Sequence, residues 1–230
     1  ISDIDQDREH PEKKFRPLVS GKINIKSAKI LGYTLISFSF ITVYTFYSDL
    51  SPYFLTYLFI TVAYSKKLKY IKYFDFISIS VLFFIRTLIG GIFSEVSLTN
   101  YFIFFILSIL NLLSLGKKLS ILNNPNIIKN TKIKNHLKKN YKSYELRNFS
   151  IISSVATIII FLFWIFNQGN FSFYQNVISF ISILLLVFFC YKFIKDSVNF
   201  KTENFVKWSL NYENLILITA MCALVLLKVY

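Results

Sequence analysis

The sequence predicts an all-α fold, a polytopic bundle of transmembrane helices, and three observations carry that expectation. Only 17% of the 230 residues are charged while 54% are hydrophobic, against about 25% charged in ordinary soluble domains. The apolar residues gather in seven runs, most near the ~20 residues a helix needs to cross a bilayer. None alternates with the period of two that a membrane barrel strand requires, and an open sheet cannot satisfy its backbone in lipid. The Lys and Arg residues, finally, lie between alternate runs and not along the whole chain.

The runs occupy 28–47, 52–65, 74–92, 99–116, 148–167, 173–194 and 212–230, the second being short for a span. Alternate loops, 1–27, 66–73, 117–147 and 195–211, hold with their immediate flanks 24 of the 26 Lys and Arg, all but Arg86 and Lys228. The opposite loops, 48–51, 93–98 and 167–172, hold no Lys or Arg and only Asp49 and Glu95 as charges. One miscounted span would scramble this division, so it supports all seven. By the positive-inside rule the basic loops are cytoplasmic. The formal charge of +14 is thereby read as a topology signal, and nucleic acid is excluded as a partner. Cys190 and Cys222 lie inside apolar runs without metal or pairing spacing.

The chemistry-bearing stretch is the first, ISDIDQDREHPEKKFRPLVSG, residues 1–21. Asp3 and Asp7 are four apart and share a face on a helix, whereas Asp5 points away. Two carboxylates on one face repel unless a divalent cation bridges them, and Mg²⁺ suits such oxygen ligands, completing its shell with water and phosphate. Lys13, Lys14 and Arg16 follow, the cations a phosphate or diphosphate requires, with the Arg fork able to bind two oxygens at once. A solvated, mixed-charge loop is the plain alternative. In the second basic loop, Tyr64 to Asp75, the aspartate opens a span, where it complements the positive helix N-terminus with or without a further role. Arg86 follows eleven residues later on nearly the same face, ~16 Å into the span by helix rise; an ionisable residue at that depth faces a bundle interior or a wet cavity. Gly90-Gly91 beyond it suits close helix packing. The third basic loop runs from Lys117 and Lys118 to Arg147 and fits either lipid headgroups or an anionic substrate. His136 has no acidic or metal-ligand neighbour, and the last loop, 195–211, balances its charges. The chain contains no internal repeat, P-loop, nucleophile elbow or zinc spacing.

These residues resemble the UbiA superfamily of intramembrane prenyltransferases, whose Asn-Asp-x-x-Asp-x-x-x-Asp motif is followed by Arg-Pro-Leu-x-Ser-Gly. Asp3 and Asp7 match its last two aspartates, and Arg16-Pro17-Leu18-Val19-Ser20-Gly21 matches its tail. The resemblance implies a single membrane domain over 1–230, begun inside the motif and lacking the first two of nine helices. Within the superfamily, Asp7-Arg8-Glu9-His10-Pro11 with Lys13, Lys14 and Arg16 is most similar to the branch that transfers phosphoribose to decaprenyl phosphate. Tyr64-Ser65, Leu68-Lys69, Asp75, Phe84, Arg86, Leu115-Gly116-Lys117-Lys118, Tyr141, Ser143, Leu146 and Arg147 add to that likeness. The chain departs from the branch at Ile121, where Glu is usual, and at Asn211, near which an Asp is usual.

The resemblance implies a transferase that moves phosphoribose from phosphoribosyl diphosphate to a polyprenyl phosphate and releases diphosphate. It implies Mg²⁺ on Asp3 and Asp7, with Asp3, Asp7 and Asp75 catalytic. Substrate contacts fall to Lys13, Lys14, Arg16, Tyr64, Lys69, Arg86, Lys117 and Arg147. The setting is the inner membrane of a bacterium, with the active face cytoplasmic; no oligomeric state is implied. The alternative within the superfamily is transfer of a polyprenyl group from its diphosphate to an aromatic or other small acceptor. A transporter or lipid-binding protein without chemistry would place ionisable groups along several spans. The expected structure has seven membrane-crossing helices with Asp3, Asp75 and Lys117 at one end.

Overall fold

The computed structural model describes residues 4–8, 13–96, 98–125, 132–167 and 173–229. Its elements are helical throughout, with no strand among the described residues. Helices occur at all seven predicted runs. Five of them, Ile25–Phe46, Phe74–Phe93, Asn100–Asn123, Ser143–Phe166 and Phe173–Val198, are long and apolar enough to cross a membrane unaided. The chain divides into two compact units, Ile1–Leu98 with Pro125–Asn140, and Thr99–Asn124 with Tyr141–Tyr230.

The first unit opens with α1 (Ile4–Arg8) and a single 3₁₀ turn at Lys13–Phe15. Helix α2 (Ile25–Phe46) follows, started by Asn24, whose side chain accepts from the Lys26 N–H at 3.1 Å. Asparagine does this well at a helix start because it satisfies an amide that has no partner inside the helix. A 3₁₀ turn at Ser48–Leu50 reverses the chain into α3 (Ser51–Lys66), where Pro52 occupies a first-turn position that needs no N–H. After a further turn at Leu68–Tyr70, α4 (Phe74–Phe93) begins. Phe40 of α2 meets Phe54 of α3 at 6.5 Å, and Tyr47 meets Phe93 edge-on at 5.3 Å, so the ends of α2 and α4 converge. Asp75, at the start of α4, therefore lies at the end of this unit where α2 begins. Asp3 lies outside the described residues and Lys117 belongs to the other unit. Helix α3, at 16 residues, is the short span the sequence indicates. The first unit is completed by α6 (Lys132–Asn140), which buries Leu137 and leaves Lys138 and Lys139 exposed.

In the second unit α5 (Asn100–Asn123) and α7 (Ser143–Phe166) lie antiparallel. Ser143 donates to the Asn123 amide oxygen at 2.8 Å, and further along Ser153 donates to the Ser108 carbonyl at 2.7 Å and Thr157 to the Ser108 hydroxyl at 3.0 Å. Small hydroxyl residues let membrane helices approach and bond, where lipid supplies no hydrophobic drive between them. Helix α8 (Phe173–Val198) packs its Phe189, Cys190 and Phe193 into a core with Leu112, Phe161 and Trp208. Gly116 makes the α5–α8 approach possible: a Cβ there would strike the Phe193 ring and come 2.6 Å from the Ser197 hydroxyl.

Three helix ends differ from the sequence boundaries in the same sense. Helix α5 continues to Asn123, α7 starts at Ser143 and α8 ends at Val198, beyond the apolar limits at 116, 148 and 194. Apolarity marks where a helix meets lipid, whereas backbone bonding and snorkelling side chains carry it further into water. Lys117, Lys118 and Arg147 are consequently helix residues. The last basic loop is also more structured than its balanced charge indicates. Short helix α9 (Phe205–Ser209) inserts Trp208 against Phe193 at 5.2 Å, and the Trp208 indole donates to Asp196 at 2.8 Å. Thr202 donates to the Gly116 carbonyl at 3.2 Å, and Asn124 donates to Glu203 at 3.2 Å. Asn214, in the first turn of α10 (Tyr212–Val229), donates to the Trp208 carbonyl at 2.7 Å. Within this unit the ends of α5 and α8, the start of α7 and the 199–211 segment thus form one polar, basic end.

Gly116→Ala is expected to lower thermal stability in detergent, since over-packing costs about 1–3 kcal/mol. Gly90→Ala, where an added Cβ meets nothing within 4 Å, is expected to leave it unchanged. Equal melting behaviour of the two variants would refute this account of α5–α8 packing.

Candidate functional site

The first unit concentrates its charges at the end where α2 begins. The tail Arg16-Pro17-Leu18-Val19-Ser20-Gly21 folds into a tight turn: the Arg16 carbonyl accepts from the Val19 and Ser20 N–H groups at 2.9 and 2.8 Å, and the Pro17 carbonyl from Ile23 at 3.2 Å. Gly21 closes it at φ +78°, a left-handed conformation that disfavours any Cβ. This turn carries Arg16 back to α1, where its Nη1 donates to Asp7 Oδ2 at 2.7 Å. The Asp7 side chain is 11% exposed and that of Arg16 57%. The pair therefore holds a buried carboxylate while leaving much of the guanidinium available. Asp5, two residues before, is exposed and pairs with Arg8 at 3.4 Å, a pairing worth little at the surface. Lys14 is exposed, with its ammonium 5.1 Å from the centroid of the Phe15 ring. Asp3 and the side chain of Lys13 lie outside the described residues.

The turn between α3 and α4 brings a second set to this end. Tyr64 and Lys69 are half-buried, the latter with its ammonium 5.0 Å from the Tyr70 ring centroid. Tyr73 takes a positive φ of 71° immediately before α4. A non-glycine residue there is strained and is tolerated only where its surroundings hold it. Two residues on, Asp75 is 4% exposed, its own N–H bonded to the Ile71 carbonyl at 3.2 Å. Asp7 and Asp75 are thus the two buried carboxylates of the first unit among the described residues.

Arg86 stands apart from both sets. It reaches across to α3, where its Nη2 donates to the Tyr57 hydroxyl and its guanidinium lies 5.0 Å from the Tyr57 ring and 5.5 Å from that of Phe83. Sequence reasoning placed Arg86 within the span and missed Tyr57, because a partner 29 positions away depends on the register of two helices. In the second unit Lys117 and Arg147 are exposed. Lys118 turns the other way, its ammonium buried 5.4 Å from the ring centroid of Tyr141, itself 2% exposed. The helical phase separates the two lysines by about 100° and is the signal that could have distinguished them.

No group of three or more His, Cys, Asp or Glu that could hold a metal occurs among the described residues. The chemistry of the donors nonetheless fits Mg²⁺, which is usually held by one or two carboxylates and completed by water and substrate phosphate. Among the described residues the bond to Arg16 engages Asp7 Oδ2 and leaves its Oδ1 for a cation.

The profile of the UbiA prenyltransferase family matches residues 1–215. The decaprenyl-phosphate phosphoribosyltransferase of Mycolicibacterium smegmatis is 26% identical over 170 residues, 73% of this chain and 52% of that protein. The protein of the same description from Mycobacterium tuberculosis is 25% identical over 174 residues, 75% of this chain and 56% of its own length. The chain spans about half the length of these curated relatives. With nearly all of its length matched and its apolar helices in place, the chain is an integral membrane protein that belongs to the UbiA prenyltransferase family.

Proposed function

We propose that the protein is a Mg²⁺-dependent transferase that moves phosphoribose from phosphoribosyl diphosphate to a polyprenyl phosphate and releases diphosphate. One observation carries this reading within the family: the chain has one acidic stretch, and the region that would hold a second is basic. Between Lys117 and Arg147 the sole carboxylate is Glu145, and its Oε2 accepts from the Lys142 N–H at 3.3 Å as part of the α7 cap. An enzyme that uses the lipid diphosphate as electrophile holds that group between two acidic, metal-binding segments. One acidic stretch and one basic end instead suit one metal-bound diphosphate and one further anion. The names of the two mycobacterial relatives support the same substrates.

In this reading the ribose C1–O bond to diphosphate breaks, the electron pair leaving with the diphosphate, and a C1–O bond forms to the lipid phosphate. The attacking oxygen is already anionic, so no Ser, Cys or His base is required. Mg²⁺ held by Asp3 and Asp7 would supply charge neutralisation for the diphosphate. Arg16 would bind two of its oxygens with the part of its fork that Asp7 leaves open, and Lys13 and Lys14 would add compact charges. Interactions that strengthen as charge builds on a leaving group accelerate the step. Asp75, buried at the start of α4, would stabilise the cation-like ribose. Tyr64, Lys69, Arg86, Lys117 and Arg147 would contact the donor or the lipid phosphate. By the positive-inside rule the Lys and Arg distribution supports a cytoplasmic face for this chemistry.

The test uses membranes carrying the full-length protein, incubated with phosphoribosyl diphosphate labelled in the ribose and with polyprenyl phosphate. Label is expected in a new lipid, only when Mg²⁺ is present. Transfer of a prenyl group to 4-hydroxybenzoate without ribose incorporation would overturn the reading and establish the aromatic-acceptor alternative.

Variants probe the acidic stretch. Asp3→Ala and Asp7→Ala are each expected to abolish transfer in a protein still folded in detergent, while exposed Asp5→Ala costs little. Equal losses from all three would contradict the distinct roles given to these carboxylates. Arg16→Lys is expected to raise the donor KM by about tenfold or more, because one ammonium cannot keep the Asp7 bond and also supply the two-oxygen fork. An unchanged donor KM would remove Arg16 from the site.

A further inference from the structure

Arg86 lies well inside a span, ~16 Å past Asp75 by helix rise. It is exposed, yet the first unit holds its guanidinium in one pose. Nη2 donates to the Tyr57 hydroxyl of α3, and the group lies 5.0 Å from the Tyr57 ring centroid and 5.5 Å from that of Phe83. Among the described residues no carboxylate pairs with Arg86, and Tyr57 is its hydrogen-bond acceptor. The N–H groups of Nη1 and Nε therefore stay available. Phe83, Arg86 and Gly90 share one face of α4 by their spacing of three and four. Phe83 is 44% exposed, and a Cβ added at Gly90 meets nothing within 4 Å. Among the described residues this face of α4 is open beside the guanidinium.

A guanidinium within a span is costly unless an anion or a wet cavity accompanies it, and aromatic rings offset only part of that cost. A phosphate suits the N–H groups that remain, since Arg binds two of its oxygens at once. We propose that Arg86 binds the phosphate of the polyprenyl phosphate acceptor, and that Tyr57 is a positioning residue acting through Arg86. The proposal rests on the transferase reading above and deepens it, because that reading leaves Arg86 between the two substrates. Depth decides between them. The soluble donor arrives from water at the end of the unit that holds Asp7 and Arg16, whereas a lipid reaches the open face of α4 from within the bilayer. The Tyr57 hydroxyl supplies preorganisation: a guanidinium already fixed loses less conformational freedom when the phosphate binds. The Tyr57 ring lies against Arg86 with or without that hydroxyl, so the two contributions are separable.

The test reads ligand-induced thermal stabilisation of the full-length protein in detergent, with three probes: farnesyl phosphate, farnesol, and inorganic diphosphate with Mg²⁺. Tyr57→Phe keeps the ring and removes the hydroxyl. It is expected to raise the half-saturating concentration of farnesyl phosphate about fivefold, with farnesol and diphosphate within about twofold of wild type. Arg86→Gln is expected to raise it about tenfold or more. The double variant is expected to match Arg86→Gln alone, since Tyr57 acts through that group. Tyr53→Phe, one turn earlier on α3, is expected to match wild type. A purely structural role for Tyr57 would lower the melting temperature without moving the half-saturating concentration. Unchanged farnesyl phosphate binding in Tyr57→Phe would overturn the proposal, as would an equal loss of farnesol, an equal loss in Tyr53→Phe, or a shift as large for diphosphate. No stabilisation of wild type by farnesyl phosphate would do the same, and a further loss in the double variant would end the positioning role. Should Tyr57→Phe not fold, Arg86→Gln decides on the same readings. In the ribose-transfer assay Tyr57→Phe is expected to raise the acceptor KM and not the donor KM. If wild type transfers no ribose yet the Tyr57 and Arg86 variants lose farnesyl phosphate, the transferase reading falls and the lipid-phosphate site stands.

Discussion

Hydrocarbon offers no hydrogen bonds, and that constraint organises the whole chain. Every amide that enters lipid must find its partner within its own helix, so the spans are uninterrupted helices and irregular backbone collects at their ends. The polar contacts that tie the second unit together follow this rule. Those of Asn123, Asn124, Ser143, Thr202, Glu203 and Trp208 cluster where α5, α7 and α8 end or begin, while inside the spans of this unit α5 and α7 are joined by short hydroxyl bonds such as Ser153 to Ser108. Charged groups are thereby favoured at helix ends, and apart from Arg86 within α4 the basic ends are where this chain keeps most of them.

The same constraint explains what was legible in the sequence. Apolar runs give the number and order of the spans because burial in lipid selects residue type directly. They do not give helix ends, since a helix may continue into water for reasons of backbone bonding alone; Lys117 and Lys118 read as a loop for that reason and are part of α5. The acidic stretch is read from local spacing, Asp3 and Asp7 being four positions apart, and the Arg-Pro-Leu-Val-Ser-Gly segment that follows it folds into a turn closed within itself. The 199–211 segment was not legible, because its order comes from Trp208 entering a core built by α8 and from Thr202 meeting α5. No local pattern announces a contact whose other half lies 86 residues away.

Asp7 and Asp5 show how one short helix separates two chemically identical groups. Two residues apart on α1, they point to different sides. Asp7 is drawn into the fold by the returning Arg16, while Asp5 remains in solvent beside Arg8. Burial strengthens the electrostatic influence of Asp7 on anything bound beside it, because the effective dielectric falls. Arg16 offsets the cost of that burial. The turn that closes on Gly21 is thus part of the site's electrostatics as well as its geometry.

With 26 basic residues against 12 acidic ones and a formal charge of +14, carboxylates are too few to pair with every cation, and the described residues fall into different settings. Lys66, Lys67, Lys138 and Lys139 are exposed, which is sufficient for topology, a function that depends on charge and side of the membrane alone. Lys14, Lys69 and Lys72 each lie near the ring of the next residue in sequence, a contact that local geometry alone supplies. A smaller group is held by partners distant in sequence: Arg16 by Asp7, Arg86 by Tyr57, Lys118 by Tyr141 and Lys192 by Glu213. Immobilising a long side chain costs conformational entropy, and only the fold can offset it by bringing the partner to that place. Specific recognition requires charges in defined positions, and Arg16 and Arg86, each held by a partner distant in sequence, meet that requirement within the proposed set.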